Sequence, residues 1–200
     1  MNNAKTLKLA APLLALGLAL TACGGTDSDT EAAPADHNDQ DVAFATEMIP
    51  HHAQAVEMSE IAAANAESPE VRDLAEDISA AQGPEIEVMS SWLDAWGEDV
   101  PDTDGGMGGM NHGGSDDMGG MEDMPGMMSS DEMGDLESAS GSEFDTMFLT
   151  MMIEHHEGAI EMAQTQQDEG EYPEAVDLAE TIEETQTEEI QTMEDLLESR

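Results

Sequence analysis

The sequence contains one segment twice, and the two copies keep a constant offset of 104 residues over about fifty positions. The stretch MIPHHAQAVEM at 48–58 recurs as MIEHHEGAIEM at 152–162. The register continues without a gap to Leu93 and its counterpart Leu197. This internal duplication predicts that the chain builds the same local structure twice.

Each copy has the pattern of two α-helices. Apolar residues recur at spacings of three and four, and runs of β-branched residues are absent. Ser68 before Pro69 is typical of a helix start. Pro173 marks the equivalent start of the fourth helix, and Ser142 is a candidate cap for the third helix. One such hairpin is too thin to bury its own apolar stripe. Residues 39–97 and 142–200 are therefore expected to pair as one all-α four-helix bundle.

The segment between the copies has a different composition. Residues 98–141 hold eight methionines together with many glycines and acidic residues, which predicts a disordered connector. A soft metal ion would find auxiliary ligands there: Met107, Met110, His112, Met118, Met121, Met124, Met127 and Met128. The alternative is a low-complexity spacer whose methionines absorb oxidants.

The N-terminus is typical of an exported protein. Lys5 and Lys8 accompany an apolar run at 7–20, which is followed by LTAC at 20–23. This ending resembles a bacterial lipobox and predicts a signal peptide at 1–22, lipid on Cys23 and a disordered tether at 23–38. The alternative is an ordinary signal with a chance cysteine. Cys23 is the only cysteine, so an intramolecular disulfide is excluded. The lipid would be the only contact with the cell membrane, and the domain would face outside the cytoplasm.

The charge of the chain excludes one class of partner. Without residues 1–22, 47 acidic side chains face only Arg72 and Arg200. Such a surface repels nucleic acid and concentrates cations, so metal ions are expected partners and nucleic acid is not. No feature of the sequence identifies a protein partner.

The repeated stretch places metal-ligating side chains on one face of a helix. At about 100° per residue they share one inward arc in each copy. The two sets are Asp41, Met48, His51, His52 and Met58, and Asp145, Met152, His155, His156 and Met162. Each buried imidazole needs partners for two nitrogens, and one metal ion would satisfy several rings at once. A single buried methionine, in contrast, is usually core filler. The duplication is expected to bring the two histidine-bearing helices face to face, so that one site draws ligands from both.

The donor types narrow the choice of metal. A di-iron bundle would have Glu-x-x-His, whereas this chain has Met48-x-x-His51 and Met152-x-x-His155. Thioethers select copper(I) or silver(I), and imidazole also suits copper(II) and zinc. No Ser/His/Asp triad, phosphate loop or GxSxG is found in the sequence, so we expect no enzymatic activity.

A family resemblance rests on these motifs. The duplicated Asp-x-x-Phe-x-x-x-Met-Ile-x-His-His, the pattern Q..EI..M at 82–89 and 186–193, and WLDAWG at 92–97 resemble the domain-of-unknown-function family 305. The resemblance implies a ferritin-like four-helix architecture, a copper ion bound in the bacterial envelope, and the paired histidines and their flanking methionines as ligands. The Met-rich insert extends the family pattern, and the second copy lacks counterparts for Trp96 and Gly97.

Three functions follow as hypotheses. The first is a lipid-anchored, extracytoplasmic copper-binding protein that sequesters or relays the metal. The second is a ferritin-like redox enzyme with a metal centre in the bundle. The third is an envelope adaptor whose histidines serve only the core.

Overall fold

The structure, a computed structural model, describes residues 36–103 and 124–200, and within these ranges helices joined by short irregular segments form the fold. Its described part contains five α-helices: α1 (Asp39–Asn65), α2 (Pro69–Trp96), α3 (Ser130–Ser138), α4 (Gly141–Glu169) and α5 (Pro173–Glu198). Helices α1–α2 and α4–α5 are the two hairpins that the duplication predicts. The all-α bundle is thereby confirmed, while its likeness to ferritin stays a prediction.

Local capping explains where the helices begin. Asn38 and Asp41 form a capping box at the start of α1, in which each side chain accepts a hydrogen bond from the other's backbone N–H. Ser68 caps α2 as predicted, with proline in the first turn. The expected cap at Ser142 is wrong, because α4 begins after Ser140, whose side chain makes no cap hydrogen bond.

Helices α1 and α4 run antiparallel along the middle of the bundle. At one end of the pair, Gln166 Nε2 donates to Asp41 Oδ1 at 2.6 Å. At the other end, the backbone N–H of Glu67 donates to Asp145 Oδ1 at 2.9 Å. Helix α2 packs along α1, and α5 packs along α4. The two histidine-bearing helices therefore face each other, as the duplication predicts.

Two apolar clusters fill the bundle, and each takes side chains from all four long helices. The first cluster includes Phe44, Met48, Met89, Met162 and Ile182. The second cluster includes Met58, Ile78, Phe144, Met152 and Met193. The paired histidines lie between the two clusters along both α1 and α4, so they form a polar layer inside an apolar core.

The expectation of a disordered connector is wrong at its C-terminal end. Ser129 and Glu132 form a capping box that starts α3. Met128, Met133 and Leu136 are buried in the second cluster, at 2%, 5% and 0% exposure. The glycine-rich composition of the segment conceals these three anchors, whose burial offsets the entropy of ordering residues 124–141.

The expected tether is also ordered at its end. Asn38 caps α1, and the His37 ring stacks on Trp96 with centroids 4.4 Å apart. The predicted signal peptide and the lipidation site at Cys23 lie outside the described residues. The same holds for part of the auxiliary ligand set: Met107, Met110, His112, Met118 and Met121. Within the ranges 36–103 and 124–200, no helix has the length and apolarity needed to cross a membrane.

Leu136 tests whether α3 belongs to the fold. Leu136→Ala removes a fully buried side chain and is expected to lower the free energy of unfolding by about 2–5 kcal/mol. Val100→Ala, at a position that is 38% exposed, is the control and should change it by less than about 0.5 kcal/mol. Urea denaturation followed by circular dichroism measures both. Equal stabilities would mean that α3 adds nothing to the core.

Candidate metal centre

The four paired histidines meet where α1 and α4 face each other. The rings of His51 and His155 have centroids 3.8 Å apart and are tilted by 40°. The ring of His156 lies 6.4 Å from that of His155. All four side chains, including His52, are fully buried. The sequence prediction that both pairs turn inward is confirmed.

We call His51 and His155 the inner histidines, because their rings lie against each other, and His52 and His156 the outer histidines. One glutamate contacts each outer histidine. His52 Nε2 lies 2.7 Å from Glu85 Oε2, and His156 Nε2 lies 2.7 Å from Glu189 Oε2. A carboxylate oxygen only accepts, so Nε2 of each ring is the donor, and in the neutral ring this leaves the lone pair on Nδ1. The two pairs are related by the same offset of 104 residues, so the duplication repeats the hydrogen bond as well as the helix.

The inner histidines differ from each other. His51 Nε2 lies 3.0 Å from the backbone carbonyl oxygen of Pro125, which also only accepts. His51 is therefore assigned the same Nε2–H tautomer as the outer pair. For His155, its counterpart, neither ring nitrogen meets hydrogen-bond geometry with a partner among the described residues, although the backbone of His51 lies close enough to its ring to act against the lowering of its pKa.

The unpartnered nitrogens fit a metal ion. Nδ1 of all four rings is buried and without a hydrogen-bond partner among residues 36–103 and 124–200. Histidines that ligate metals usually donate their other ring N–H to a carboxylate or a carbonyl. Three of the four rings have that arrangement, through Glu85, Glu189 and Pro125. Buried lone pairs without a partner are costly, and a bound metal ion would remove that cost.

The inner histidines are neutral at physiological pH. Burial lowers the pKa of His51 to about 3, and the neighbouring His52 adds to the effect. Burial also lowers the pKa of His155 well below its usual value of 6.5, with His51 contributing next. A neutral imidazole is the form that ligates a metal, so protons compete weakly for these two rings.

The four predicted methionine ligands border the histidine layer on both sides. Met48 and Met162 lie in the first apolar cluster, and Met58 and Met152 lie in the second. All four are buried, with Met162 the most exposed at 8%. Each cluster thus places one thioether from α1 and one from α4 next to the imidazoles. Their role as ligands stays a prediction.

The two aspartates predicted as further ligands have other partners. Asp41 accepts from the backbone N–H groups of Glu171 and Tyr172, and Asp145 accepts from the N–H of Ser68 and from Arg200 Nη1. Each lies ten residues from the first histidine of its own helix, which is about 15 Å along the axis. The structure does not bring them to the histidines, because the inward arc continues over three turns and buries them where they anchor loops.

Of the connector methionines, three lie within the described residues. Met124 and Met127 are partly exposed on either side of Pro125, whose carbonyl contacts His51. Met128 is buried and packs in the second cluster. The structure therefore places Met124 and Met127 near the histidines and assigns Met128 to the core.

The arrangement favours some metals over others. Within the described ranges, no group of three or more His, Cys, Asp or Glu side chains is arranged to hold a metal ion. The thioethers that border the imidazoles are the further donors at this layer, and thioethers prefer soft ions such as copper(I) and silver(I).

The sequence alone does not identify the groups that accept hydrogen bonds from the histidines. Glu85 and Glu189 occupy equivalent positions of the repeated pattern Q..EI..M, and that shared register was the available signal. With 47 acidic residues in the chain, one equivalent pair does not stand out. The Pro125 carbonyl had no sequence signal, because any residue carries a backbone oxygen.

The fold and the site define a class: a duplicated four-helix bundle with two buried His-His pairs in its core. The chain belongs to the family described as "Domain of unknown function (DUF305)", whose family model matches residues 41–197. The resemblance inferred from the sequence is confirmed.

Solved structures agree with this assignment. A DUF305 protein from Streptomyces coelicolor, classed as secreted, is 36% identical over 80% of this chain and 93% of its own, with a TM-score of 0.68. A DUF305 fragment from Deinococcus radiodurans is 31% identical over 82% and 98%, with a TM-score of 0.69. CopM in its Cu(II)-bound form is 33% identical over 80% and 96%, with a TM-score of 0.63. No curated protein sequence matches the chain.

The lowered pKa values predict a pH dependence of the metal-free protein. Below pH 6.5 the unfolded chain protonates His51, whereas the folded protein does not until about pH 3, so stability is lost as pH falls through this window. Between pH 6.5 and 4.5 this loss is about 2–3 kcal/mol for His51. His51→Gln should lose that much less stability than the wild type when both are denatured by urea in chelator. Parallel pH profiles would show that His51 is protonated in the folded state.

Proposed function

We propose that this protein binds copper, held as copper(I) between α1 and α4 by imidazole Nδ1 atoms and methionine thioethers. The observation that carries the proposal is the layer of four fully buried histidines, in which three rings donate from Nε2 to fixed acceptors and leave Nδ1 unpartnered. Copper is the cargo of the protein in this proposal, and no chemical reaction is assigned to it.

The donor set supports copper(I) over harder ions. Met48 precedes His51 by three residues, and Met152 precedes His155 by the same spacing, so each thioether is one helical turn from an imidazole. Soft thioethers bind copper(I) and silver(I) in preference to zinc, iron or magnesium. Met58 and Met162 offer a second thioether from each helix on the opposite sides of the histidine layer.

The solved relatives support the same metal. CopM has been crystallised in Cu(II)-bound, Cu(I)-bound and Ag-bound forms, and it is 29–33% identical to this chain over 80% of its length. Silver(I) and copper(I) share a preference for soft ligands. A relative that accepts both agrees with the donor types found here.

The proposed setting is the outer side of the cytoplasmic membrane. The predicted signal peptide and Cys23 supply export and a lipid anchor, and a secreted family member supports a location outside the cytoplasm. There the protein would sequester copper or pass it on.

The two copies are expected to bind copper as one unit. His51→Ala with His52→Ala should weaken copper(I) binding about as much as His155→Ala with His156→Ala. The quadruple variant should cost much less than the sum, because residues that share one site are not additive. Affinity is measured against a copper(I) chelator, with metal analysis after equal exposure to copper, zinc, iron and silver.

Each alternative result has a clear meaning. Additive losses would show two independent sites. Unchanged affinity in both double variants would mean that the histidines are structural, and the copper proposal would fail. Zinc or iron in place of copper after equal exposure would contradict the role of the thioethers.

The glutamates behind the outer histidines provide a second test. Glu85→Ala and Glu189→Ala should each reduce copper(I) affinity about 10–100-fold, because each leaves an outer histidine without its orienting acceptor. Glu87→Ala is the matched control, since Glu87 is an exposed residue of the same helix. Equal affinities for Glu85→Ala and Glu87→Ala would show that Glu85 does not act on the metal site.

A further inference from the structure

A short segment that precedes α3 crosses directly over the histidine layer. We call residues 124–128 the strap. The carbonyl oxygen of Pro125 accepts the hydrogen bond from His51 Nε2 at 3.0 Å. Three residues on, Met128 pairs with the side chain of Gln54 through two buried hydrogen bonds of 2.8 Å, one in each direction. The strap is thereby fixed to α1 at two points, His51 and Gln54.

The strap also lies against the backbone of α4. A Cβ atom at Gly158 would come within 2.1 Å of the Pro125 oxygen and 2.7 Å of the Gly126 nitrogen. Gly126 itself has φ +74°, and a Cβ there would come within 2.6 Å of the Glu154 carbonyl oxygen. Both contacts are too close for any residue larger than glycine. The two glycines allow the strap to reach the helix surface beside the histidines.

The strap breaks the symmetry that the duplication creates. Gln54 and Gly158 occupy equivalent positions of the two copies, two residues after each His-His pair. Gln54 binds the strap with its side chain. Gly158 leaves space for the strap because it has no side chain. As a result the strap gives His51 a fixed acceptor on Nε2 and gives none to His155.

We propose that the strap is a positioning element of the metal site: the Pro125 carbonyl holds His51 in the Nε2–H tautomer and so presents Nδ1 to the metal. His155, without such an acceptor, is the adaptable ligand that takes up either tautomer. Met124 and Met127 flank Pro125, so the same contact brings two partly exposed thioethers to the edge of the site. The inference rests on the proposed copper binding for its effect on affinity, but the effect on His51 is independent of metal.

The test uses the full chain and two readouts. In the metal-free wild type at neutral pH, nitrogen-15 NMR of the histidine rings should show His51 as the Nε2–H tautomer and His155 as a mixture. Gln54→Ala removes both hydrogen bonds to Met128 and should convert His51 to a mixture of tautomers. The same variant should weaken copper(I) binding about 10–100-fold, the usual effect of losing an outer partner of a ligand.

Gln166→Ala is the matched control. It also truncates a buried glutamine that makes a hydrogen bond between α1 and α4, but eleven residues from His155, or about 16 Å along α4. Its His51 tautomer and its copper affinity should equal those of the wild type. An altered His51 tautomer in this control would mean that any loosening of the α1–α4 contact changes the ring, and it would overturn the specific role of the strap.

Gly158→Ala provides a second variant. Alanine favours the helix, so α4 should form, while the added Cβ meets the Pro125 oxygen and displaces the strap. A wild-type His51 tautomer in both Gln54→Ala and Gly158→Ala, or an Nδ1–H tautomer in the wild type, would overturn the proposal. If the wild type takes up no copper(I), the proposed function fails, and the NMR measurement still decides the role of the strap.

Discussion

Everything in this bundle is arranged around four buried imidazoles. Taking a ring into an apolar core removes the water from two polar nitrogens, which is costly unless each nitrogen finds a partner. Three Nε2 atoms have acceptors in Glu85, Glu189 and Pro125, whereas all four Nδ1 atoms have none among the described residues. The two apolar clusters on either side hold α1 and α4 together in spite of that cost. The bundle therefore supports a layer that destabilises it in the metal-free state.

The duplication accounts for most of this layer, but not for the hydrogen-bond acceptor of His51. One hairpin yields one His-His pair, one outer glutamate and two flanking methionines, and the second copy repeats them at the same positions. The two inner rings lie against each other, at 3.8 Å between centroids, so each needs an acceptor from outside the repeat. In the described structure the connector provides one for His51, through the carbonyl oxygen of Pro125.

The features that depend on helical periodicity and on the register between the copies could be predicted from the sequence. The hairpins, the inward faces of α1 and α4 and the start of α2 at Ser68 follow from local spacing. Prediction from the sequence failed where a long-range contact overrides composition. Met133 and Leu136 are spaced by three, but glycine-rich neighbours conceal the short helix that carries them. Asp41 and Asp145 share the inward arc with the histidines, yet they meet loop N–H groups at opposite ends of the bundle. Glu85 and Pro125, the hydrogen-bond partners of His52 and His51, reach these rings through tertiary packing. The residue spacing within α1 and α4 does not predict that packing.

The charge distribution also bears on which ion the proposed site would accept. The surface is strongly acidic, so cations of every kind are concentrated around the protein. The layer itself contains imidazoles and thioethers, and the carboxylates in contact with it are Glu85 and Glu189, whose side chains are 18% and 19% exposed. The cost of taking an ion out of water rises steeply with its charge, and divalent ions normally recover that cost through anionic ligands. A monovalent soft ion needs less charge compensation, and two glutamates that act through the outer imidazoles can supply it. The exposed carboxylates that attract divalent ions to the surface would thus keep them there, and the layer of imidazoles and thioethers would select copper(I).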